Sequence, residues 1–344
     1  MRPVIVIASA AIGAMVFVGA LWSFQQATTP SIGAPAKLTS VSLRLNGSFA
    51  PKYAGEMVAA RTGLFDREGL QIELKPGGNG ADSISSVASG ADTFGVARGT
   101  DFLVARAKGA PIVAFAAGYL ESDVVFYVLE RSGIHTVQDF IGKRVGYQPG
   151  QDTAIIYDAL LANLGIGRSK IREIITGTDI AALLNNDVDI WPGHVAEEAY
   201  ILKQKGIDFN VVRPLNFGIH VPGTVYFTTE KIIRDHPSLV QKFLRAVIAG
   251  WTLTYADYSK SVPLISAYDE KALTPERVRF ALGEQRDFVF PLGRRFAEFD
   301  DRQWKLLRII LLNERLIDDS VDMSKAVTYE FLREAYRKSI QFGK

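Results

Sequence analysis

The chain has no cysteine in its 344 residues. That excludes thiol nucleophiles, thiolate metal sites, disulfides and a lipid anchor on an N-terminal cysteine. Histidine is scarce: the four present form no His-x-x-x-His pair and no carboxylate cluster, so no metal site is signalled and none is expected. The sequence lacks the phosphate loop Gly-x-x-x-x-Gly-Lys-Ser/Thr, the dinucleotide fingerprint Gly-x-Gly-x-x-Gly and the nucleophile elbow Gly-x-Ser-x-Gly. Pro76 to Gly80 is glycine-rich, but without a Lys and a Ser or Thr it reads as a flexible loop. Nor is there an excess of one charge. Lys and Arg number 39 against 37 Asp and Glu, and the basic residues are scattered, which excludes a nucleic-acid surface. No organic cofactor is implied.

What is present describes an ordinary globular protein, 48% hydrophobic and 22% charged, long enough for two domains with their own cores. Arg2 precedes an uncharged apolar run from Val4 to Trp22, too uniform for a soluble core element and read as an export signal or an uncleaved anchor. Ala34-Pro35-Ala36 offers small-x-small cleavage, and the Thr, Pro, Ser, Gly and Ala of 28–36 make a linker. The folded part is therefore expected outside the cytoplasm, in the periplasm, free or tethered.

One pattern occurs twice. Residues 86–96 and 171–190 each read as an amphipathic helix, a polar turn, and an Asp (Asp92, Asp189) opening a buried strand. Around them strands alternate with helices. Strands are expected over 41–45, 71–74, 93–97, 112–117 and 124–129, then 144–147, 171–175, 188–191 and 209–212, which predicts mostly parallel sheets. Thr136 to Asp139 reads either as a capping box opening a short helix or as a turn. Leu239, Val240, Phe243, Leu244, Val247, Ile248 and Trp251 mark one long buried helix face. Amphipathic helices around 275–282, 301–313 and 328–338 are expected to pack outside the first lobe. The expected division is a leader over 1–36, a first lobe of 37–126 with 222–344, and a second lobe of 127–221, inserted so that two crossover strands form a hinge. Two similar α/β lobes facing each other across a cleft favour binding a small molecule over altering one.

Four segments then carry a resemblance. The run AGEMVAARTGLFDREGLQI over 54–72 resembles the opening of the periplasmic solute-binding proteins of ABC importers, within the thiamine-biosynthesis-like group. Val188-Asp189 through Glu197-Glu198, the run from Gly218 to Glu230, and the helix after Pro237 resemble the same group in the same order. Its relatives bind pyrimidine precursors, riboflavin, taurine, alkanesulfonates or nitrate. The resemblance implies an α/β, type II periplasmic-binding-protein fold, a monomer that delivers one small molecule to the membrane subunits of an ABC permease. It also implies no chemistry on the ligand. The group's pyrimidine-synthesising branch depends on a cysteine-rich motif and a sacrificial His, whereas here Cys is absent and Tyr53 stands where that His would fall.

Ligands bind such lobes at the carboxyl ends of the strands, where loops and helix N-termini offer free N–H groups. The candidates in the first lobe are Asn46, Ser48 and Phe49, then Arg98, Gly99 and Thr100, then Gly118 and Tyr119. In the second they are Gln151, Asp152 and Thr153 beside Gly150, and Trp191, His194 and Glu198 after the strand of Asp189. His220 is a further donor, and like His194 it reads equally as an ordinary hydrogen-bonded histidine. Arg98 either grips a carboxylate, sulfonate or phosphate in two-pronged fashion or pairs with Asp101 at the cleft rim. Trp191 and Tyr119 either stack on a flat ring or belong to the core. By resemblance one of Glu197 and Glu198, Glu198 by the alignment of the phrase, pairs with a ring amine. The expected guest is a nitrogen heterocycle, an organic anion, or an aromatic acid combining both. A membrane-tethered ligand sensor is the alternative use of such a fold.

Overall fold

The structure, a computed structural model, describes residues 38–78 and 82–341. The expected leader lies outside the described residues. Among those described, no helix is long and apolar enough to cross a membrane.

Ten strands form two five-stranded sheets. The first contains β1 (Thr39–Arg44), β2 (Leu70–Lys75), β3 (Phe94–Arg98), β4 (Ile112–Ala117) and β10 (Thr224–Thr229), in the order β2-β1-β3-β10-β4. The second contains β5 (Val124–Leu129), β6 (Arg144–Tyr147), β7 (Arg172–Ile175), β8 (Ile190–His194) and β9 (Phe209–Val212), in the order β7-β6-β8-β5-β9. Strand for strand the two orders correspond. β1–β2, β1–β3, β6–β7 and β6–β8 run parallel, whereas β10 and β5 run antiparallel to both their neighbours. The sheets are thus more mixed than the helix–strand alternation predicts. The reason is topological: β5 and β10 are the strands by which the chain enters one sheet straight from the other, so they lack the crossover helix that makes neighbours parallel. Because β5 already lies in the second sheet, the crossing falls at 118–123 rather than at 126.

The duplicated aspartates tie neighbouring strands together. Asp92, just before β3, accepts from Arg44 Nε of β1 at 2.8 Å and pairs with Lys75 of β2 at 2.9 Å. Asp189, just before β8, accepts from the Arg144 backbone N–H at 2.8 Å and from its Nη2 at 2.7 Å on β6. Each holds the parallel edge of its sheet in register. The capping box at Thr136 and Asp139 opens a one-turn 3-10 helix, Val137–Phe140.

The long helix Pro237–Ala256 buries the face read from the sequence, including Val240, Phe243, Leu244, Val247 and Trp251. Phe243 lies in a ring cluster, stacked on Phe94 at 4.1 Å and edge-on to Phe115 at 6.0 Å. Truncating such a residue costs about 3–5 kcal/mol. This helix crosses Ala54–Arg61 at very short range. A Cβ on Gly55 would meet the Trp251 ring at 2.2 Å, and one on Gly250 the Gly55 carbonyl at 2.2 Å. Beneath the crossing, Glu56 accepts a hydrogen bond from Tyr226, and burial pushes its carboxyl up to about 7.

The C-terminal helices do more than cover the first lobe. Pro275–Val289 packs on the Pro51–Tyr53 turn and also on Glu197–Gln204 of the second lobe. Asp301–Asn313 packs on Gly99–Ala107 of the first lobe and on Asp152–Asn163 of the second. The Val327–Thr328 stretch pairs with Ala114 and covers the free edge of β4, a strand buried along its whole length.

Candidate functional site

The two sheets present the carboxyl ends of β3, β6 and β8 to one another, and the side chains that meet there are charged. Arg98 ends β3, immediately before the helix Gly99–Ala107. Its Nε reaches Asp152, the first residue of the helix Asp152–Asn163 in the second lobe, at 3.0 Å, and its Nη1 lies 3.7 Å from Asp101. His194, the last residue of β8, places Nδ1 3.1 Å from Asp123 and Nε2 3.8 Å from Asp152. Arg98, Asp152, His194 and Asp123 therefore form one chain of alternating charge that begins in the first lobe, crosses the cleft and ends on the crossover segment. Lys52 faces the same centre from the first lobe, its ammonium 5.3 Å over the Tyr53 ring, with no carboxylate in ion-pair reach among the described residues.

The charges hold one another's protonation. Burial alone would lower His194, but the Asp123 and Asp152 carboxylates reverse this and carry it up to about 9. Burial would raise Asp123, yet His194, Lys52 and Arg98 bring it below its ordinary value. Lys52 is held above its usual value against burial, by Tyr53, Glu197 and Asp123.

The lobes touch here. Between them is a cavity of about 20 Å³, lined by Asn46, Lys52, Arg98, Asp152, His194 and Glu197 among others. That is room for a water molecule, far below the roughly 300 Å³ at which drug-sized ligand pockets begin. A second cavity of about 30 Å³ continues past Lys52 and His194 to Arg277 and Gln285 of the helix Pro275–Val289. Gln285 donates to the Pro51 carbonyl at 3.0 Å and accepts from the Tyr119 hydroxyl at 2.8 Å.

Of the residues expected from sequence, Asn46, Arg98, Thr100, Tyr119, Asp152 and His194 are brought together at this centre. Gly99 donates its N–H to Gly223 at 2.8 Å and Gly118 to Thr224 at 2.8 Å, both fastening the crossover rather than facing the cavity. Thr153 is buried against Gln148, and Gln151 stands exposed at the N-cap position without a side-chain capping bond. Tyr53 is buried behind the site, its hydroxyl donating to Asn46. Ser48 is exposed, and Phe49 packs on Tyr268 at 4.9 Å. Trp191 is fully buried in the second lobe beside Gly146, so its ring does not reach the cleft. His220 is half-exposed, 3.4 Å from Glu121 and away from the cavity. Of the paired glutamates, Glu197 lines both cavities, while the Glu198 carboxylate folds back to accept from the His194 N–H at 2.9 Å.

Lys52 and Asp123 are not singled out by the sequence, and of the paired glutamates the resemblance favours Glu198, whereas it is Glu197 that lines the cavity. Lys52 reads there as an ordinary charge at a helix start and Asp123 as a strand flank. The proximity of Asp123 to the crossing was the one available signal, since a residue on a crossover lies at the cleft by topology. The two crossover segments are themselves joined, Gly223 N–H to the Tyr119 carbonyl at 3.1 Å and Ser122 N–H to that of Val221 at 2.9 Å.

Comparison with known proteins places this geometry. Residues 50–260 match the family described as NMT1/THI5 like. A 4-amino-5-hydroxymethyl-2-methylpyrimidine phosphate synthase of Legionella pneumophila is 25% identical over 298 residues, covering 85% of this chain and 92% of the relative. The riboflavin-binding protein RibY of Chloroflexus aurantiacus is 26% identical over 321 residues, covering 88% and 89%. Among solved structures, the periplasmic aliphatic sulphonate binding protein SsuA of Escherichia coli superposes with a TM-score of 0.68 at 17% identity, covering 86% of this chain and 92% of that one. The two lobes have the periplasmic-binding-protein fold.

Proposed function

Since the chain belongs to the NMT1/THI5-like family, we propose that it is an extracytoplasmic solute-binding protein which closes on one small polar molecule and hands it to the membrane subunits of an ABC importer. The observation carrying this reading is the charged chain Arg98–Asp152–His194–Asp123, built from both lobes and the crossover at the point where they meet. Groups that satisfy one another when the lobes touch become free donors and acceptors when the hinge opens. A guest with its own hydrogen-bonding groups replaces those contacts and restores closure around itself. Arg98 and Lys52 suit an anionic or carbonyl-bearing edge, and Asp152 and Glu197 an amine, so a heterocycle bearing both, or an aromatic acid, matches the lining.

The likeness to the Legionella synthase favours a second reading, in which the chain makes a pyrimidine. Against it stand the absence of cysteine and the Tyr at position 53, the position where the resemblance expects a sacrificial His. The Tyr53 hydroxyl is bonded to Asn46 and its ring is buried. These features support a carrier that releases its guest unaltered.

Titration calorimetry over nitrogen heterocycles, sulfonates and small carboxylates, with mass spectrometry of what leaves the natively purified protein on denaturation, is the test. The expected result is one ligand per chain, weakened at least tenfold by Arg98→Ala. Absence of binding by every class tested, or formation of a pyrimidine product by the purified chain, would overturn the carrier reading.

A further inference from the structure

Outside the central ion network the crevice between the lobes widens into an open groove of about 390 Å³. Its lining comes from the helix Gly99–Ala107 of the first lobe and the helix Asp152–Asn163 of the second, with Glu314 and Leu316 beside them. Nothing in the established family likeness assigns this groove a role. Its volume falls within the range of small-molecule sites, which the central cavity does not.

Two independent features define what it would take. The first is charge. The lining carries the carboxylates of Asp82, Asp101, Asp158 and Glu314 against one ammonium, Lys108. The guanidiniums paired with these carboxylates are shared: Arg98 serves Asp152 as well as Asp101, and Arg168 serves Glu173 as well as Asp158. Glu314 has no cation in ion-pair reach among the described residues. Asp158 shows the consequence. Burial, helped by Glu314 and Glu173, pushes its carboxyl up to about 6 in spite of the Tyr147 hydrogen bond and Arg168. The second feature is an unpartnered hydroxyl. Thr100 is 4% exposed, its Oγ1 has no hydrogen-bond partner among the described residues, and it lines both the groove and the central cavity. A buried hydroxyl left unpaired is destabilising, and one at the junction of two compartments points to a ligand atom passing between them. Most of the remaining lining, Val104, Ala105, Ile155 and Leu316 included, is apolar, and Tyr147 adds a ring.

We propose that this groove is the outer compartment of the ligand site, joined to the centre at Thr100, and that it receives a protonated amine or amidine carried on an apolar or aryl body. The inference rests on the carrier reading above and specifies its guest: a molecule whose polar edge engages the central network while a cationic arm lies against Asp101, Asp158 and Glu314. The apolar walls shed water around the arm's body, and the surplus of carboxylates selects its charge.

The probe is phenethylamine, with phenylacetate of the same size and opposite charge as control, titrated calorimetrically into the full chain. Phenethylamine is expected to bind at one site, at least tenfold tighter than phenylacetate. Glu314→Gln should weaken it three- to tenfold, and Ala105→Trp, which fills the groove from a half-buried helix position, should abolish it. A circular-dichroism melt of each variant shows that the fold is kept, and Glu314→Gln keeps the test decisive should Ala105→Trp fail to fold. Equal binding of amine and acid, or amine binding unchanged in both variants, overturns the inference. If phenethylamine does not bind while a heterocycle, sulfonate or carboxylate does, the groove proposal falls and the carrier reading stands. If nothing binds, both fall.

Discussion

His194, at the end of β8, reaches two other parts of the molecule through one imidazole: the crossover by Asp123 and the helix Asp152–Asn163 of its own lobe by Asp152. Its protonation is therefore coupled to its contacts with the crossover and that helix. The folded value of about 9 lies above the unfolded value of 6.5. A group raised in this way contributes stability that is fully present below the unfolded value and is lost as pH rises through the folded one. Such a shift corresponds to at most about 3 kcal/mol for a largely buried side chain. The melting temperature of the wild type is expected to fall as pH rises from about 6.5 to 9, and His194→Gln to show a clearly flatter profile over that window. Equal slopes in the two proteins would mean that the imidazole is not charged in the fold. Protonated His194 also presents a cation to the cleft at neutral pH, so the centre holds three cations, with Lys52 and Arg98, facing Asp123, Asp152 and Glu197.

At the scale of elements, the helix Pro275–Val289 acts as a clasp. It belongs to the first lobe through Gln285 and through the Phe288 carbonyl, which accepts from Leu120 at 2.8 Å. It reaches the second lobe through Phe280, packed on Tyr200 at 5.6 Å with Lys203 4.8 Å above its ring, and through Glu276, which accepts from Gln204 at 3.0 Å. These contacts lie on the exposed side of Glu197–Gln204, so they can part without unfolding either lobe. Phe280→Ala should leave each lobe intact and loosen their contact, worth about 1–2 kcal/mol for a half-buried ring at such a junction. Stopped-flow measurement of guest release is expected to show a three- to tenfold faster rate, with the denaturant slope unchanged. An unaltered release rate would make the helix a bystander.

For the molecule as a whole, two chain crossings joined by backbone hydrogen bonds leave hinge rotation as the motion of lowest resistance, and the ion chain opposes it. Breaking one partner of a buried pair leaves the other uncompensated, so the closed arrangement loses more than the pair itself contributed. Asp152→Asn should therefore shift the free protein towards open lobes, seen in solution scattering as a larger radius of gyration that returns to the wild-type value on adding guest. A radius identical to wild type without guest would show that the ion chain does not govern closure.

Much of this was legible along the chain because it is local. Strand burial in 112–117 and 124–129, the apolar face of Pro237–Ala256 and the repeated Asp-plus-strand pattern follow from periodicity, which needs no partner to be read. So does the placing of Arg98 and His194 at strand ends and of Asp152 at a helix start. The rest depended on who stands opposite. Trp191 and His194 are three residues apart on one strand, yet the pleat and twist put the first in the core and the second in the cleft. Glu197 and Glu198 are adjacent and alike; the turn of the helix sends one to the cavity and the other back onto the strand end. Sequence by itself determined two α/β lobes and the segments that would line a cleft, because side-chain patterning is set by each element's own period. Only the tertiary structure decided which charges pair across the lobes, that the C-terminal helices reach both of them, and that the roomiest part of the crevice is acid-lined, because those depend on distances between residues far apart in the chain that no local pattern encodes.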